Sequence, residues 1–390
     1  MPPAEKEPFS LYVHIPYCVS KCPYCDFNSH VVPVIPEEAY TEALITELGH
    51  HAAAGEWAGR TVQSVFFGGG TPSTFHPASI ARILDKIAHG YQLDPECEIT
   101  LEANPGTVEG SHFSGYRAGG VNRISVGIQS FQSRILKFLG RVHSADEAKR
   151  ALNVVREARF ENFNLDLIYA TPGQTLEELS ADLKIALSFE SPHISAYNLT
   201  IEEGTPFHHE YRIGRLKLLN EDEEIAMAEL IESKVTGAGL QRYEISNYAR
   251  SGLHSRHNVN YWQSGDYLGV GAGAHSYRAS SGGEVLGHRW SNERNPARYM
   301  SMIHDLGQAV TERDEIDRAK AVGEFMFLGL RMTAGISSEI FCCRFGKRPV
   351  DCYPQIATWI ESDLMEEKSG HLRLTPKGLS VANSIFVHFV

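Results

Sequence analysis

Six short apolar segments, each followed by an amphipathic stretch or a loop, constrain this chain more than any other feature. LYVHIP (11–16), SVFFGGG (64–70), EITLEAN (98–104), RISVGIQS (123–130), NFNLDLIYA (162–170) and HISAYNLT (193–200) read as strands. The stretches between them carry apolar residues at helical spacing: EEAYTEALITEL, with Tyr40, Leu44 and Leu48 on one face, then ASIARILDKIA, SADEAKRALNVVREA and TLEELSADLKIALSF. Strands alternating with helices of this length predict a parallel sheet of right-handed βαβ crossovers. Six such units make an incomplete (β/α)6 barrel, an α/β fold whose ligands sit at the C-terminal strand ends. Past residue 205 the alternation is lost, and the sequence reads as helical and irregular. The expected division is 1–205 for the barrel, 206–295 for an extension, and 296–390 for a smaller C-terminal α+β domain, mainly helical. There IDRAKAVGEFMFLGLRM reads as a core helix. HLRLTPKGLSVANSIFVHFV reads as a strand, a turn and a final helix, reminiscent of a winged-helix fragment.

The first strand runs into YVHIPYCVSKCPYCDF, where Cys18, Cys22 and Cys25 are spaced Cys-x3-Cys-x2-Cys. Thiolates at this density favour an iron–sulfur cluster or zinc. A closed zinc site needs four protein ligands, and the next candidate position is Phe27. Three cysteines on a [4Fe–4S] cluster leave one iron open to a small chelating ligand.

Other features lie at the ends of later strands. Gly68-Gly69-Gly70-Thr71-Pro72 follows the second; its glycines permit close approach of backbone N–H groups, and Pro72 ends the strand. It lacks the frame of a nucleotide phosphate loop. Glu102, Gln129 and Asp166 each interrupt an apolar run. A buried polar group costs several kcal/mol unless paired, so each must find a partner at the strand mouth, and three at equivalent places suggest a shared polar ligand. Arg141 offers a guanidinium to a carboxylate.

Composition narrows the class. The 390 residues are 42% hydrophobic, enough for a large core and two domains. No run of about 18 apolar residues is present, and MPPAEKEPFS lacks the build of a signal peptide. Seven cysteines do not form a disulfide scaffold in a chain of this length, and the clustered three suit a reducing compartment. The expected location is cytoplasmic, with peripheral membrane association left open. A net charge of -12 argues against nucleic acid as a partner. Cys342, Cys343 and Cys352 lack metal-site spacing, and His208 and His209 read as a solvated pair.

YVHIPYCVSKCPYCDF, FFGGGTPS, LEANPGT, RISVGIQSF, GRVHS and DLIYATPGQT occur in the order and at the intervals found in the oxygen-independent coproporphyrinogen III oxidase group of the radical SAM superfamily. The resemblance is strong from residue 8 to about 275. It implies that Cys18, Cys22 and Cys25 hold a [4Fe–4S] cluster whose open iron chelates S-adenosylmethionine. It further implies that Tyr12, Gly69, Gly70, Thr71, Glu102, Gln129, Arg141 and Asp166 contact that cofactor. Two departures point within the group. The porphyrinogen oxidases carry a long segment before the cluster loop, expected to be absent here because Cys18 comes so early. Their loop continues Cys-x-x-Cys-x-Cys, whereas this chain reads Cys25-Asp26-Phe27. Both departures resemble the HemW haem chaperones. HNVNYW (257–262) matches the HNxxYW signature of that family and implies haem binding by His257, Asn258, Tyr261 and Trp262. Imidazole is a common axial ligand of haem iron, and Tyr261 and Trp262 offer flat apolar faces.

The favoured reading is a haem chaperone that delivers haem to apo-haemoproteins, respiratory enzymes among them. A haem-donor protein and a homodimer are left open as partners. The alternatives are a radical enzyme acting on a tetrapyrrole, such as a coproporphyrinogen III dehydrogenase or a methyltransferase-like relative, and a protein whose cluster is only structural or redox-sensing. Oxidase activity is not expected.

Overall fold

The computed structural model describes residues 7–107, 110–280 and 283–389. All six expected strands are present: β1 (Phe9–Ile15), β2 (Thr61–Gly69), β3 (Gln92–Ala103), β4 (Arg123–Gln129), β5 (Asn162–Tyr169) and β6 (His193–Asn198). Each pairs in parallel with the next. Crossover helices 37–53, 77–90, 145–157 and 176–188 lie where the periodicity predicts them, and 110–118 and 133–138 add two more. Local signals agree with the fold. Ser144 with Glu147, and Thr175 with Glu178, form capping boxes that satisfy the first N–H groups of their helices.

β1 shows how the sheet sorts its residues. Phe9, Leu11, Val13 and Ile15 are fully buried on the apolar face, each stabilising the core by about 1.5–3 kcal/mol. The alternate positions Ser10, Tyr12 and His14 turn toward the inside of the curved sheet, where Tyr12 lines two cavities. The expected apolar strands are therefore half polar, and the polar half builds the site.

The reading of residues beyond 205 as helical and irregular is corrected. Six further strands join the same sheet: β7 (Gln241–Arg242), β8 (Asn247–Ala249), β9 (Tyr267–Val270), β10 (His275–Ala279), β11 (Val285–Asn292) and β12 (Val310–Asp317). The order is β12-β11-β10-β9-β1-β2-β3-β4-β5-β6-β8-β7, twelve strands in a partial barrel. β9 runs parallel to β1, and β10 to β12 continue antiparallel. Several of these strands lack an apolar run. β7 has two residues, and in β12, VTERDEID, only Ile316 is buried, so the ladder rather than side-chain burial holds them.

A second core lies at the C-terminal end. Helix 318–329 buries Ala321, Val322, Phe325 and Met326, as expected for a core helix. It packs with a three-stranded sheet of β13 (Ile336–Ser337), β14 (Met365–Lys368) and β15 (His371–Leu374), ordered β13-β15-β14. The final segment is a strand followed by two short helices, 376–380 and 382–386, in place of the single helix expected. No helix among the described residues is long and apolar enough to cross a membrane.

Candidate functional site

The cysteines occupy the loop between β1 and helix 37–53, all three thiols free and half-buried. The loop is pinned at its base: Cys18 N–H donates to the His30 carbonyl at 3.0 Å, and Cys25 N–H to the Cys22 carbonyl at 3.1 Å. Two cofactor candidates reach the sulfurs directly. Thr71 Oγ1 donates to Cys18 Sγ at 3.4 Å. Arg141 Nη1 donates to Cys22 Sγ at 3.5 Å, with Nη2 held by the Gly127 carbonyl at 2.9 Å. Burial raises the Cys18 and Cys25 thiols above their ordinary range, against the opposing charges of Arg141 near Cys18 and Lys21 near Cys25. Among the described residues no trio of His, Cys, Asp and Glu side chains converges tightly enough to hold a single metal ion.

Gly69 and Gly70 serve a packing need as well as the one expected of them. Gly69 has φ +111°, and a Cβ there would lie 2.4 Å from the His14 ring. A Cβ on Gly70 would lie 2.6 Å from the Tyr17 carbonyl oxygen. The Gly70 and Thr71 N–H groups donate to the Ile15 and Tyr17 carbonyls at 2.8 Å each. The glycine turn is thus clamped to the cysteine loop, fixing one relative to the other.

Glu102 and Asp166 face the barrel interior. Desolvation, then the charge of Asp166, pushes the Glu102 carboxyl up to about 8, against the Gly69 N–H that stabilises its anion. Burial also raises Asp166, offset by Ser195, Ser125 and Asn164; Ser125 Oγ donates to it at 3.0 Å and Asn164 Nδ2 at 2.7 Å. Burial raises the Tyr12 hydroxyl, which shares a 3.0 Å hydrogen bond with His14 Nδ1. Gln129 sits in the left-handed region at φ 66°, strained for a residue with a side chain. Its Oε1 is buried without a partner, as is Arg141 Nε. An acceptor and a donor left open beside three thiols fit a polar cofactor such as S-adenosylmethionine, whose ammonium and carboxylate need one of each.

Three cavities adjoin these residues, the smallest, about 30 Å3, lined by Cys22, Thr71 and Arg141. A cavity of about 190 Å3 runs down the barrel between Tyr12, Glu102, Asp166, His257 and Tyr261. A more open one of about 330 Å3 lies between the cysteine loop and β9–β10, bounded by Phe27, Gly69, Glu102, Tyr267, His275 and Arg294. The residues that sequence reasoning missed are mostly on the inner face. Arg123, Asn164, His193 and Ser195 line the deep cavity; His193 bridges Asn164 Oδ1 at 2.6 Å and the Tyr243 hydroxyl at 2.9 Å. Their signal was the polar alternation Asn164-x-Asp166 and His193-x-Ser195 within otherwise apolar strands.

HNVNYW forms most of the short helix 256–262. His257 lines the deep cavity, with both ring nitrogens engaged by neighbouring side chains. Its side chain is 1% exposed, Nδ1 is engaged by Ser64 Oγ at 3.0 Å and Nε2 by the Tyr261 hydroxyl at 2.9 Å. Burial pushes its pKa down to about 3, and its ring stacks on Phe66 at 4.9 Å. Its orienting partners are Ser64 and Tyr261. Asn258 lines the deep cavity, while Trp262 faces the C-terminal domain beneath the Arg331 guanidinium, 4.4 Å from its ring. Two glycines between β9 and β10 pack against protein: a Cβ on Gly271 would lie 2.5 Å from the His14 carbonyl, and one on Gly273 2.5 Å from Asn28.

The radical SAM superfamily matches residues 12–186, and the HemN C-terminal domain matches residues 316–381. Heme chaperone HemW of Escherichia coli (strain K12) is 37% identical over 98% of both chains, and that of Haemophilus influenzae 39% over 98% of both. The chain belongs to the HemW family. Bacillus subtilis HemW is 33% identical over 98% of this chain and 99% of its own. The fold is that of coproporphyrinogen III oxidase (HemN) from Escherichia coli, a radical SAM enzyme, with a TM-score of 0.81 over 98% of this chain and 90% of that one, at 24% identity. In this HemW-family chain, β2 to β5 and most of β1 fall within the radical SAM match, β6 lies just beyond it, and most of the second core falls within the HemN C-terminal match.

Proposed function

We propose that the chain is a haem chaperone that holds a [4Fe–4S] cluster on Cys18, Cys22 and Cys25, binds S-adenosylmethionine beside it, and passes haem to apo-haemoproteins. The observation that carries the cofactor half is the meeting of three half-buried thiols with the unpartnered Gln129 Oε1 and Arg141 Nε at one strand mouth. Thr71 and Arg141 steady the sulfurs, Glu102 and Asp166 supply hydrogen-bond acceptors deeper in, and Gly69 and Gly70 hold the two loops in register. When bound, the cluster would supply an open iron to chelate the amino and carboxylate groups of S-adenosylmethionine. The haem half comes from the names of the relatives together with the open aromatic cavity beside the cysteine loop.

A radical enzyme acting on a tetrapyrrole is the second reading, favoured by the deep cavity, which puts Arg123 and His193 next to Glu102 and Asp166. One anaerobic preparation tests both. Haem uptake followed by transfer to an apo-haemoprotein, without conversion of coproporphyrinogen III in the presence of reductant and excess S-adenosylmethionine, supports the chaperone. Steady conversion overturns it in favour of the enzyme.

A further inference from the structure

A fourth cavity, of about 270 Å3, lies between helix 256–262, strands β9 to β11 and helix 318–329 of the second core. None of the residues given to S-adenosylmethionine lines it. Tyr261, Trp262, Tyr267 and Tyr277 make its aromatic wall, with the Tyr261 and Tyr267 rings edge to face at 4.7 Å. Two polar atoms of its lining residues are buried without a partner, Trp262 Nε1 and Ser264 Oγ. Ser264 holds φ 54° just past the helix end, where glycine is the ordinary choice; the strained position is given to a residue that brings a hydroxyl. Two guanidiniums complete the lining. Arg289 is paired with Glu324 at 2.6 Å, so the two charges cancel. Arg344 has no carboxylate partner among the described residues. Its Nη2 donates to the Tyr277 hydroxyl at 3.3 Å, and its guanidinium lies 5.3 Å and 5.6 Å from the Phe325 and Phe345 rings.

We infer that this cavity takes the carboxylate edge of haem, with Arg344 as the cation, Trp262 and Ser264 as further donors, and the tyrosines against the ring. The inference rests on the haem reading above and names the part of the cargo that is held here. An indole N–H can only donate, so the group that satisfies Trp262 must be an acceptor. A guanidinium with no carboxylate of its own asks for a planar anion, and four aromatic rings suit an anion carried on a flat apolar body. The volume is at the low end for ligand pockets, enough for one edge of a tetrapyrrole, so the rest of the macrocycle lies outside it. Tyr261 also bounds the deep cavity that His257 lines, and Tyr261 and Tyr267 bound the open cavity beside the cysteine loop. The three cavities therefore meet at shared walls. Binding is by hydrogen bonds and charge; no covalent bond forms and no electron moves. The arrangement gives the second core a task, since Arg344 comes from its helix 338–345 and is steadied by its Phe325 and Phe345.

The test uses full-length protein with its cluster reconstituted, titrated in parallel with haemin and with haemin dimethyl ester and read by Soret absorbance. The two ligands share ring and iron and differ only at the carboxylates. Wild-type protein is expected to bind haemin about tenfold more tightly than the diester. Arg344→Gln is expected to remove that preference by weakening haemin alone. Trp262→Phe keeps an aromatic ring and loses the N–H, and Ser264→Ala loses the hydroxyl; each is expected to cut the preference a few-fold. If Arg344→Gln does not fold, these two carry the same comparison. The iron–sulfur spectrum and its response to S-adenosylmethionine are expected to stay unchanged in every folded variant. Wild-type protein that takes up no haemin overturns the haem reading itself. Wild-type protein that binds both ligands equally overturns the carboxylate site and leaves the haem reading standing. Variants that weaken both ligands alike, or that keep the full preference, overturn the site as well.

Discussion

The strand mouth at β1 to β5 and the helix carrying HNVNYW look equally functional as strings of residues, and the fold treats them in opposite ways. At the mouth, polar atoms are left open: Gln129 Oε1 and Arg141 Nε are buried without partners, and Gln129 is held in a strained backbone conformation. In the helix, His257 is held on both sides by Ser64 and Tyr261, and Glu98 accepts hydrogen bonds from the Arg256 and His257 N–H groups at 3.2 and 3.3 Å; only Trp262 Nε1, at the far end of the helix, is buried without a partner among its described side chains. Unsatisfied, strained groups are expected where a ligand completes the structure; satisfied ones are expected where the structure completes itself. The helix then acts as a plug that fixes Asn258 and Tyr261 in the wall of the deep cavity.

The contrast is most exposed to replacement of Cys18, Cys22 and Cys25 by alanine. Iron content and brown absorbance should be lost completely while the fold persists, since the three thiols are only half-buried. A cluster surviving in the triple variant would remove the ligand-binding half of the comparison.

His257→Ala should show the reverse. It takes the ring partner from the Tyr261 hydroxyl, leaves Ser64 with Ser10 alone and opens a cavity, so a loss of about 2–4 kcal/mol of stability is expected, read by denaturant unfolding. A fully stable variant that no longer binds haem would make His257 a binding residue and not a support.

Gly70→Ala sharpens the role of the glycine turn. Its Cβ would press on the Tyr17 backbone at 2.6 Å, and the expected cost is about 1–3 kcal/mol, with poorer cluster retention because the cysteine loop moves. Unchanged retention would separate the two loops.

Glu102 gives the mouth a pH signature. In the folded protein its carboxyl stays protonated up to about 8, against an ordinary value of 4.5. The folded state therefore binds more protons between those values, and the stability this group contributes below 4.5 is lost as pH rises toward 8. Cofactor-free Glu102→Gln should lack that loss, seen as a smaller drop in melting temperature from pH 5 to pH 9. Parallel curves for variant and wild type would show that Glu102 is not strained.

The smallest effect belongs to Gln129→Gly. Relief of the left-handed backbone should offset part of the flexibility that glycine adds to the unfolded chain, leaving cofactor-free stability within about 1 kcal/mol of wild type. S-adenosylmethionine binding, measured by calorimetry, should weaken. Weakening of stability and binding together would class Gln129 with His257 as a structural residue.

Much of this was legible in the chain. The six barrel strands and their helices follow from hydrophobic period and caps, and the cysteine loop from spacing. Arg141, Thr71 and the cysteines were each conspicuous, yet their direct contacts were not, because residues 53 and 119 positions apart meet only when the sheet curls. The outer strands escaped notice because β7 and β12 are held by backbone pairing and bury almost nothing. Arg123 and His193 were overlooked because a polar residue every second position is a weak signal inside an apolar run.

By itself the sequence determined the period of each strand and helix and the one dense set of thiols, since both are local properties of neighbouring residues. Only the tertiary structure decided which histidine is free. His257 and His275 are the same side chain, but Ser64 on β2 and Tyr261 hydrogen-bond the ring of one, and among the described residues no hydrogen bond reaches the ring of the other. Hydrogen-bond satisfaction is settled by groups far apart in the chain, and no pattern of neighbours encodes it.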